Sequence, residues 1–285
     1  MHSALALLSP PLLSRKLLRR ALLTVLLLAS AAPALAQSPY KKNKFPYTAG
    51  DLKLRAYLEK EVAKIEQRGL AAPKTAAEWP TLKAELQRKL RDMLLLDPLP
   101  ERTDLKATTT SKIEADRITV ENVYFQSSPG LYVTGNLYLP AKIEGKAPAI
   151  LYLCGHGAVK KDGVSYGNKV HYQHHGIWFA RQGYVCLIID SLQLGEIEGL
   201  HHGTHRLNQW WWACRGYSPA AVEAWNCVRA LDYLVSRPEV DPERLGVTGR
   251  SGGGAYSWWI AAIDDRVKVA APVAGITGLR DYVVE

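Results

Sequence analysis

Several residue patterns that would define a functional site are missing from this chain. It has four cysteines but no Cys-x-x-Cys pair, which argues against a zinc knuckle. All eight histidines lie at or before His205, so the C-terminal part of the chain has none. No internal repeat or low-complexity tract is present, which argues against a repeat architecture. The basic residues are scattered along the chain, and this argues against nucleic acid as a partner.

The first 36 residues contain no acidic residue and have the order of a signal peptide. A basic stretch, an apolar stretch and a small-residue cleavage site follow one another at residues 15–20, 21–32 and 34–36. The apolar stretch is shorter than the about 20 residues of a membrane span. We expect cleavage after Ala36, a secreted or periplasmic location and no stable membrane insertion afterwards. An uncleaved anchor is the alternative. Without the four basic residues of this segment the net charge falls from +9 to +5.

Residues 37–110 are interpreted as a linker followed by a helical extension. From Asp51 to Leu96 the apolar residues recur at steps of three and four, which is the period of an amphipathic helix. Gly69 and Pro73 interrupt this pattern and predict two helices. We interpret these helices as a cap on the main domain, with a separate binding module as the alternative.

The second half of the chain predicts an α/β domain over residues 111–285. From Ile113 the apolar period changes to two, and apolar strands then alternate with helical segments. Ser218 and Pro219 predict the start of one of these helices, with serine as N-cap and proline at the first helical position. The alternation predicts a mostly parallel sheet with helices on both faces.

One glycine-rich stretch carries the strongest chemical signal. Gly249-Arg250-Ser251-Gly252-Gly253 follows a short apolar strand and precedes a helical segment. A serine on such a sharp strand-to-helix turn has a strained backbone, and small residues on both sides make room for it. The N-terminus of the next helix then faces the serine and favours a negatively charged oxygen there. We predict that Ser251 is a catalytic nucleophile; a plain glycine-rich turn is the alternative.

The chain resembles the α/β-hydrolase superfamily, in its acetylxylan esterase and dienelactone-hydrolase-like branch. The matching segments are residues 130–140, His156-Gly157, Ile189-Asp190-Ser191, Gly195-Glu196, residues 241–251 and Arg266-Val267. They cover residues 113–285, which correspond to the first six of the usual eight strands. The resemblance implies secreted esterases that act on acetylated or esterified carbohydrate, and it includes some peptidases.

The resemblance also implies an oxyanion hole. The first donor would be the backbone N–H of Gly252, and the second a backbone N–H of Gly157 or Ala158 in the loop after the third strand. We interpret His156 in this loop as a residue that fixes the loop, with a role as catalytic base as the alternative.

The catalytic triad of this superfamily runs in the order serine, acid, histidine. No histidine follows Ser251, so we expect the α/β-hydrolase sheet to be incomplete at its C-terminal end. We therefore expect this chain alone to have little or no hydrolase activity. Asp281, after the sixth strand, is the candidate acid because some relatives place it there.

Residues 200–217 form an insertion that common esterases lack. Three consecutive tryptophans could provide an aromatic platform for a sugar ring, and two neighbouring histidines could contact polar groups; these candidates are Trp210, Trp211, Trp212, His201 and His202. Packing of the tryptophans against the core is the alternative. We expect no metal and no cofactor here. Cys214 and Cys227 flank the end of the insertion and could form a disulfide.

Together these observations predict a secreted serine ester hydrolase. Its partner would be a small-molecule or polysaccharide ester. A serine peptidase of the same fold, or an inactive carbohydrate-binding relative, remains the alternative.

Overall fold

The computed structural model describes residues 48–69, 75–200, 207–208 and 210–284. Its helices are α1 (Ala49–Gly69), α2 (Trp79–Met93), α3 (Asn168–His171), α4 (Gln173–Arg181), α5 (Trp211–Cys214), α6 (Pro219–Ser236), α7 (Gly252–Ile263) and α8 (Leu279–Val283). Its strands are β1 (Thr108–Ala115), β2 (Ile118–Ser128), β3 (Leu131–Pro140), β4 (Ala147–Leu153), β5 (Lys160–Lys161), β6 (Val164–Ser165), β7 (Val185–Ile189), β8 (Val240–Arg250) and β9 (Val267–Val273).

Seven strands form one sheet in the order β1-β2-β3-β7-β4-β8-β9. The pairs β1–β2, β2–β3 and β3–β7 are antiparallel, whereas β7–β4, β4–β8 and β8–β9 are parallel. Strands β5 and β6 form a separate two-stranded ribbon. Because β7, β4, β8 and β9 run in the same direction, their carboxyl ends meet at one edge of the sheet, where open α/β sheets carry their sites.

Helices cover both faces of the sheet, which confirms the predicted α/β-hydrolase class. On one face, Leu151 and Leu187 join the apolar cluster beneath α6 and α7. On the other face, the next residues along the same strands, Tyr152 and Ile188, join the cluster beneath α4. This alternation follows from the period of two in a strand, which sends successive side chains to opposite faces.

The observed elements follow the predicted ones closely except at the start of the sheet. Strand β1 begins at Thr108 rather than at Ile113, and all of its residues are exposed, so its sequence lacks the apolar alternation that marks a half-buried strand. Helix α6 begins as predicted, with Ser218 Oγ accepting a hydrogen bond from the Ala221 N–H at 3.0 Å.

Residues 57–285 form one compact unit by themselves. The predicted signal peptide at residues 1–36 lies outside the described residues. Among the helices that the structure describes, none is long and apolar enough to cross a membrane.

Candidate active site

Ser251 lies at the sharp connection between β8 and α7. Its backbone has φ 60° and ψ −119°, a conformation that residues other than glycine rarely adopt. The neighbouring glycines make this turn sterically feasible, because a Cβ atom on Gly249 would lie 2.6 Å from the carbonyl oxygen of Gly253. Ser251 itself is exposed at the carboxyl edge of the sheet. A strained, exposed serine on a strand-to-helix turn has the geometry of a nucleophile elbow.

A backbone hydrogen bond to β9 and close packing against the segment after β9 hold the elbow in place. The Ser251 N–H donates to the carbonyl oxygen of Val273 at 2.8 Å, and the Ala255 N–H donates to the Ser251 carbonyl at 3.0 Å. Gly254 faces the backbone after β9, since a Cβ atom there would lie 3.0 Å from the Gly275 nitrogen. The start of α7 therefore packs backbone against backbone, which only glycine permits at this distance.

A small depression of about 10 Å³ lies beside the elbow. It is lined by Cys154, Gly155, His156, Ser191, Leu194, Gly252 and Tyr256. A Cβ atom on Gly155 would lie 3.1 Å from the Ser251 Cβ, whereas one on Gly157 would lie 3.1 Å from the ring of His171. The structure thus brings Gly155 and His156 to the elbow and directs Gly157 towards α3. Among the described residues, Ala158 does not line the depression.

A buried hydrogen-bond network fixes the loop after β4. The Asn168 amide donates to the Gly155 carbonyl and to Ser191 Oγ, both at 3.0 Å, and its Oδ1 accepts from the Ser191 N–H at 3.1 Å. Ser191 Oγ donates in turn to the Cys154 carbonyl at 3.0 Å. Asn168 is fully buried, so each of these bonds is formed away from water. The network joins the loops after β4 and β7.

A buried ion cluster fixes the loop after β7. Lys169 Nζ lies 2.7 Å from Asp190 Oδ2 and 2.5 Å from Glu196 Oε1, and its side chain is only 2% exposed. Asp190 also accepts from the Lys169 N–H at 2.8 Å and from Thr134 Oγ1 at 2.7 Å. A buried ammonium and carboxylate that are paired and hydrogen-bonded in this way avoid the penalty of an isolated buried charge.

Glu223 lies buried below the same loop. Burial raises the pKa of this carboxyl group to about 8, and the charge of Asp190 acts in the same direction. The N–H of Leu192 donates to Glu223 Oε1 at 2.5 Å and opposes this rise in the pKa. Near neutral pH the group is therefore held largely protonated.

The remaining predicted site residues are spread over other parts of the structure. Asp281 is exposed on α8 and accepts a hydrogen bond from Thr277 Oγ1 at 2.6 Å. Among the described residues, no histidine hydrogen-bonds to Ser251 Oγ. His201 and His202 lie outside the described residues.

Helix α5 begins at Trp211, directly after Trp210. Trp210 and Trp211 are each 52% exposed, and the backbone of Trp212 belongs to α5. Trp211 lines a groove of about 290 Å³ together with Arg215, Tyr217 and Val222. An exposed aromatic residue in a groove is compatible with the predicted contact to a sugar ring.

All four cysteines are free. Cys214 is exposed and Cys227 is buried, so the disulfide that the sequence left open between them is not formed. Burial raises the pKa of the Cys154, Cys186 and Cys227 thiols, which keeps them unreactive.

Sequence reasoning missed three buried polar residues that shape the site: Asn168, Lys169 and Glu223. Only Glu223 gave a sequence signal, because it interrupts the apolar N-terminal half of α6. Asn168 and Lys169 lie in a short helix whose sequence gives no sign that they are buried.

Comparison with known proteins agrees with this geometry. The family model described as acetyl xylan esterase (AXE1) matches residues 97–282. The candidate hydrolase YtaP of Bacillus subtilis (strain 168) is 28% identical over 192 residues, which are 66% of this chain and 62% of YtaP.

Two solved structures share the fold. Methylesterase BT1017 is 27% identical with a TM-score of 0.59, and the match covers 78% of this chain and 46% of that protein. The crystal structure of a candidate acetyl xylan esterase (BF1801) from Bacteroides fragilis NCTC 9343 is 14% identical with a TM-score of 0.58, and the match covers 79% of this chain and 60% of that protein.

The chain thus spans less than two thirds of the length of each of these relatives. The family match covers well over half of the chain and contains both the elbow and the loop after β4. The chain belongs to the acetyl xylan esterase (AXE1) family.

Proposed function

We propose that this chain carries the nucleophile of an exported serine ester hydrolase that acts on acetylated or esterified carbohydrate. The observation that carries the proposal is Ser251, which has a strained backbone, is exposed and lies at the carboxyl edge of the parallel part of the sheet. Membership of the acetyl xylan esterase family supports the ester and the carbohydrate part of the substrate.

Ser251 Oγ would attack the ester carbonyl and form a tetrahedral intermediate. The negative charge on the carbonyl oxygen would be held by the Gly252 N–H and by a backbone N–H of the loop that contains His156, Gly157 and Ala158. The depression beside Gly252 supports this arrangement, because the same loop forms its opposite wall. Donors that are fixed before the reaction stabilise the developing charge without reorganisation.

A histidine base is needed to take the proton from Ser251 and return it to the leaving alcohol. None of the described histidines is hydrogen-bonded to the serine, and Asp281, the candidate acid, bonds to Thr277 instead. Loss of this base would lower the turnover rate by several orders of magnitude.

Export is the second part of the proposal, supported by the order of basic, apolar and small residues over residues 1–36. N-terminal sequencing of the exported protein should begin at or near Gln37. A mature protein that retains residues 1–36 would overturn this part.

Two alternatives have some support. A serine peptidase of the same fold would use the same elbow, and an inactive carbohydrate-binding relative would use the exposed Trp211 groove. Turnover of acetylated xylan oligosaccharides separates these two alternatives from the esterase. A peptidase would cleave amide bonds and activated esters such as 4-nitrophenyl acetate but not these oligosaccharides, and the binding protein would cleave nothing.

The test measures ester turnover on 4-nitrophenyl acetate and on acetylated xylan oligosaccharides. It compares residues 37–285 with any longer reading frame that contains them. In the active form, Ser251→Ala should abolish turnover, whereas Ser236→Ala at the far end of α6 should not change it. Full activity in Ser251→Ala would rule out the assignment. Strong Ser251-dependent turnover by residues 37–285 would show that the base lies within this chain, with His156, His201 and His202 as candidates.

A further inference from the structure

Tyr256 lies on α7 one helical turn after Gly252, and its side chain reaches back towards the elbow. Residues four positions apart share one face of a helix, and long side chains there lean towards the N-terminus. A Cβ atom on Gly252 would lie 3.9 Å from Tyr256 Oη. The hydroxyl group is therefore close to the residue whose N–H is the proposed first oxyanion donor.

The Tyr256 hydroxyl group forms no hydrogen bond within the part of the chain that the structure describes. A tyrosine that packs against a core, as Tyr256 does, usually has a partner for this group. The side chain is only partly buried, and its oxygen is not one of the described atoms that are both buried and unpartnered. A small group of a substrate can therefore reach this hydroxyl group.

The depression beside Gly252 has room for one oxygen atom next to Tyr256. Gly252 and Tyr256 line it from α7, and residues 154–156 line it from the loop after β4. Its volume of about 10 Å³ corresponds to about one water-sized group, so a carbonyl oxygen fits and a sugar ring does not. Gly252, Tyr256 and the loop therefore border the same small space.

The ring of Tyr256 is fixed before any substrate arrives. Its centroid lies 5.4 Å from that of Trp259 at an angle of 53°, and both side chains pack against the apolar cluster beneath α6 and α7. The start of α7 is held in turn by the close backbone packing at Gly253 and Gly254. A donor whose position is set in advance stabilises a developing charge without reorganisation.

The phenol of Tyr256 keeps its proton at neutral and mildly alkaline pH. Burial raises the pKa of Tyr256 well above its usual value, and the nearby Glu223 carboxyl group acts in the same direction. A protonated phenol has one O–H to donate, whereas a phenolate would repel a negatively charged oxygen.

We propose that Tyr256 is a further catalytic residue, whose hydroxyl group donates a hydrogen bond to the carbonyl oxygen of the ester. This inference rests on the proposed function, which supplies Ser251 as nucleophile and the ester as substrate. When Ser251 Oγ bonds to the carbonyl carbon, the π electron pair of the C=O bond moves onto this oxygen. When the intermediate collapses, the pair returns, the C=O bond forms again and the bond to the leaving alcohol breaks. Tyr256 keeps its proton throughout, and its hydrogen bond is strongest while the oxygen is charged.

The experiment follows a covalent adduct rather than turnover, so that it does not depend on the catalytic base. The full chain is incubated with an excess of a fluorophosphonate until labelling is complete; Ser251 Oγ bonds to phosphorus, and fluoride leaves. The phosphoryl oxygen of the adduct takes the place of the oxyanion, and hydrogen bonds to it move the phosphorus NMR signal downfield. The rate of labelling and the melting temperature are measured on the same proteins.

Two tyrosine variants are compared with the wild type. Tyr256→Phe removes the hydroxyl group and keeps the ring against Trp259. Tyr184→Phe is the matched control, because Tyr184 is also partly buried and packs on another aromatic ring, that of Phe179 with 5.9 Å between centroids. Tyr184 lies directly before β7, at the opposite edge of the sheet from the elbow.

In Tyr256→Phe we expect labelling of Ser251 to be slower by about tenfold to a hundredfold, because one donor to the developing charge is lost. The phosphorus signal of the adduct should move upfield, and the melting temperature should not change, because the packing of the ring is kept. Tyr184→Phe should match the wild type in all three measurements. A wild-type labelling rate and phosphorus signal in Tyr256→Phe would overturn the inference and leave Tyr256 as a packing residue. Equal losses in both variants would overturn it as well.

The wild-type protein separates this inference from the proposed function. An adduct on Ser251 whose rate of formation and phosphorus signal ignore Tyr256 removes the inference and leaves the proposed function in place. If no form of the protein that contains residues 37–285 is labelled on Ser251, the proposed nucleophile is wrong and this inference fails with it.

Discussion

Two turns at the carboxyl edge of the sheet are fixed by opposite means. The turn after β8 is held by the absence of side chains, because Gly249 and Gly253 let backbone pack against backbone around Ser251. The turn after β7 is held by buried polar side chains, chiefly Lys169 and Asp190. The first turn bears the proposed nucleophile, and the second lines the depression beside it.

The contrast shows which kind of site a sequence reveals. A glycine-dependent turn has a local sequence signal, because the serine and the glycines around it lie within five consecutive residues, 249–253. A buried polar network joins residues that are far apart in the chain, and each of its members looks like an ordinary surface residue in the sequence. The two turns should therefore respond differently to substitution.

The largest effect is expected from breaking the ion cluster. Lys169→Met leaves the buried Asp190 carboxylate without its counter-charge and should lower the free energy of unfolding by about 3–5 kcal/mol. Lys89→Met is the control, because Lys89 and Glu85 form an exposed pair on α2 that water and salt screen, so its loss should change the stability little. Urea unfolding of the two variants measures the loss of unfolding free energy in each. Equal, small losses would show that the cluster does not hold the β7 turn.

The elbow can be broken by a single methyl group. A Cβ atom on Gly253 would overlap the carbonyl of Leu153, so Gly253→Ala should cost about 3 kcal/mol. Gly252→Ala is the matched control, since its Cβ would meet nothing closer than Tyr256 Oη at 3.9 Å. The melting temperatures of the Gly253→Ala and Gly252→Ala proteins measure this difference. A Gly253→Ala protein as stable as Gly252→Ala would contradict the steric account.

Glu223 gives the β7 turn a pH dependence. Its pKa is raised from 4.5 to about 8 in the folded protein, so the folded state binds more protons than the unfolded state between these values. The contribution of Glu223 to stability therefore falls as the pH rises through this window, by on the order of 1.4 kcal/mol for each unit of pKa shift.

Glu223→Gln keeps an acceptor for the Leu192 N–H and removes the ionisation. Its stability advantage over the wild type should grow from pH 5 to pH 8, as measured by urea unfolding at each pH. The exposed Glu114→Gln on β1 serves as the control. A constant difference between wild type and Glu223→Gln across the window would contradict the raised pKa.

The smallest effect is expected at a contact that the sequence alone predicted. Ser218→Ala removes the N-cap of α6, the helix that carries Glu223, and should cost about 1 kcal/mol. Ser218→Thr keeps the capping oxygen and should remain close to the wild type. Thermal unfolding of the two variants measures the difference, and equal losses would mean that the cap does not stabilise the helix.

Most of the fold could be predicted because its signals are local. Strands β3, β4 and β9, the cap of α6 and the elbow all appear in short stretches of sequence. The start of the exposed β1 was missed because it buries no face, and the order of strands in the sheet cannot be seen in any one segment. The state of Cys214 and Cys227 could not be predicted, because the spacing of the two residues does not reveal that Cys227 is buried in α6.

The site was only partly predictable for the same reason. The sequence identifies Ser251 and the glycines around it, since the strain of the turn demands them. It does not reveal that Asn168 joins Gly155 to Ser191, because this contact depends on the packing of separate elements.

The most direct test of the account is to locate the reactive serine. The active form of the protein would be treated with a fluorophosphonate probe, digested and analysed by mass spectrometry. The account predicts one adduct, on Ser251, which is lost in Ser251→Ala. An adduct on another residue, or ester turnover that persists in Ser251→Ala, would contradict it.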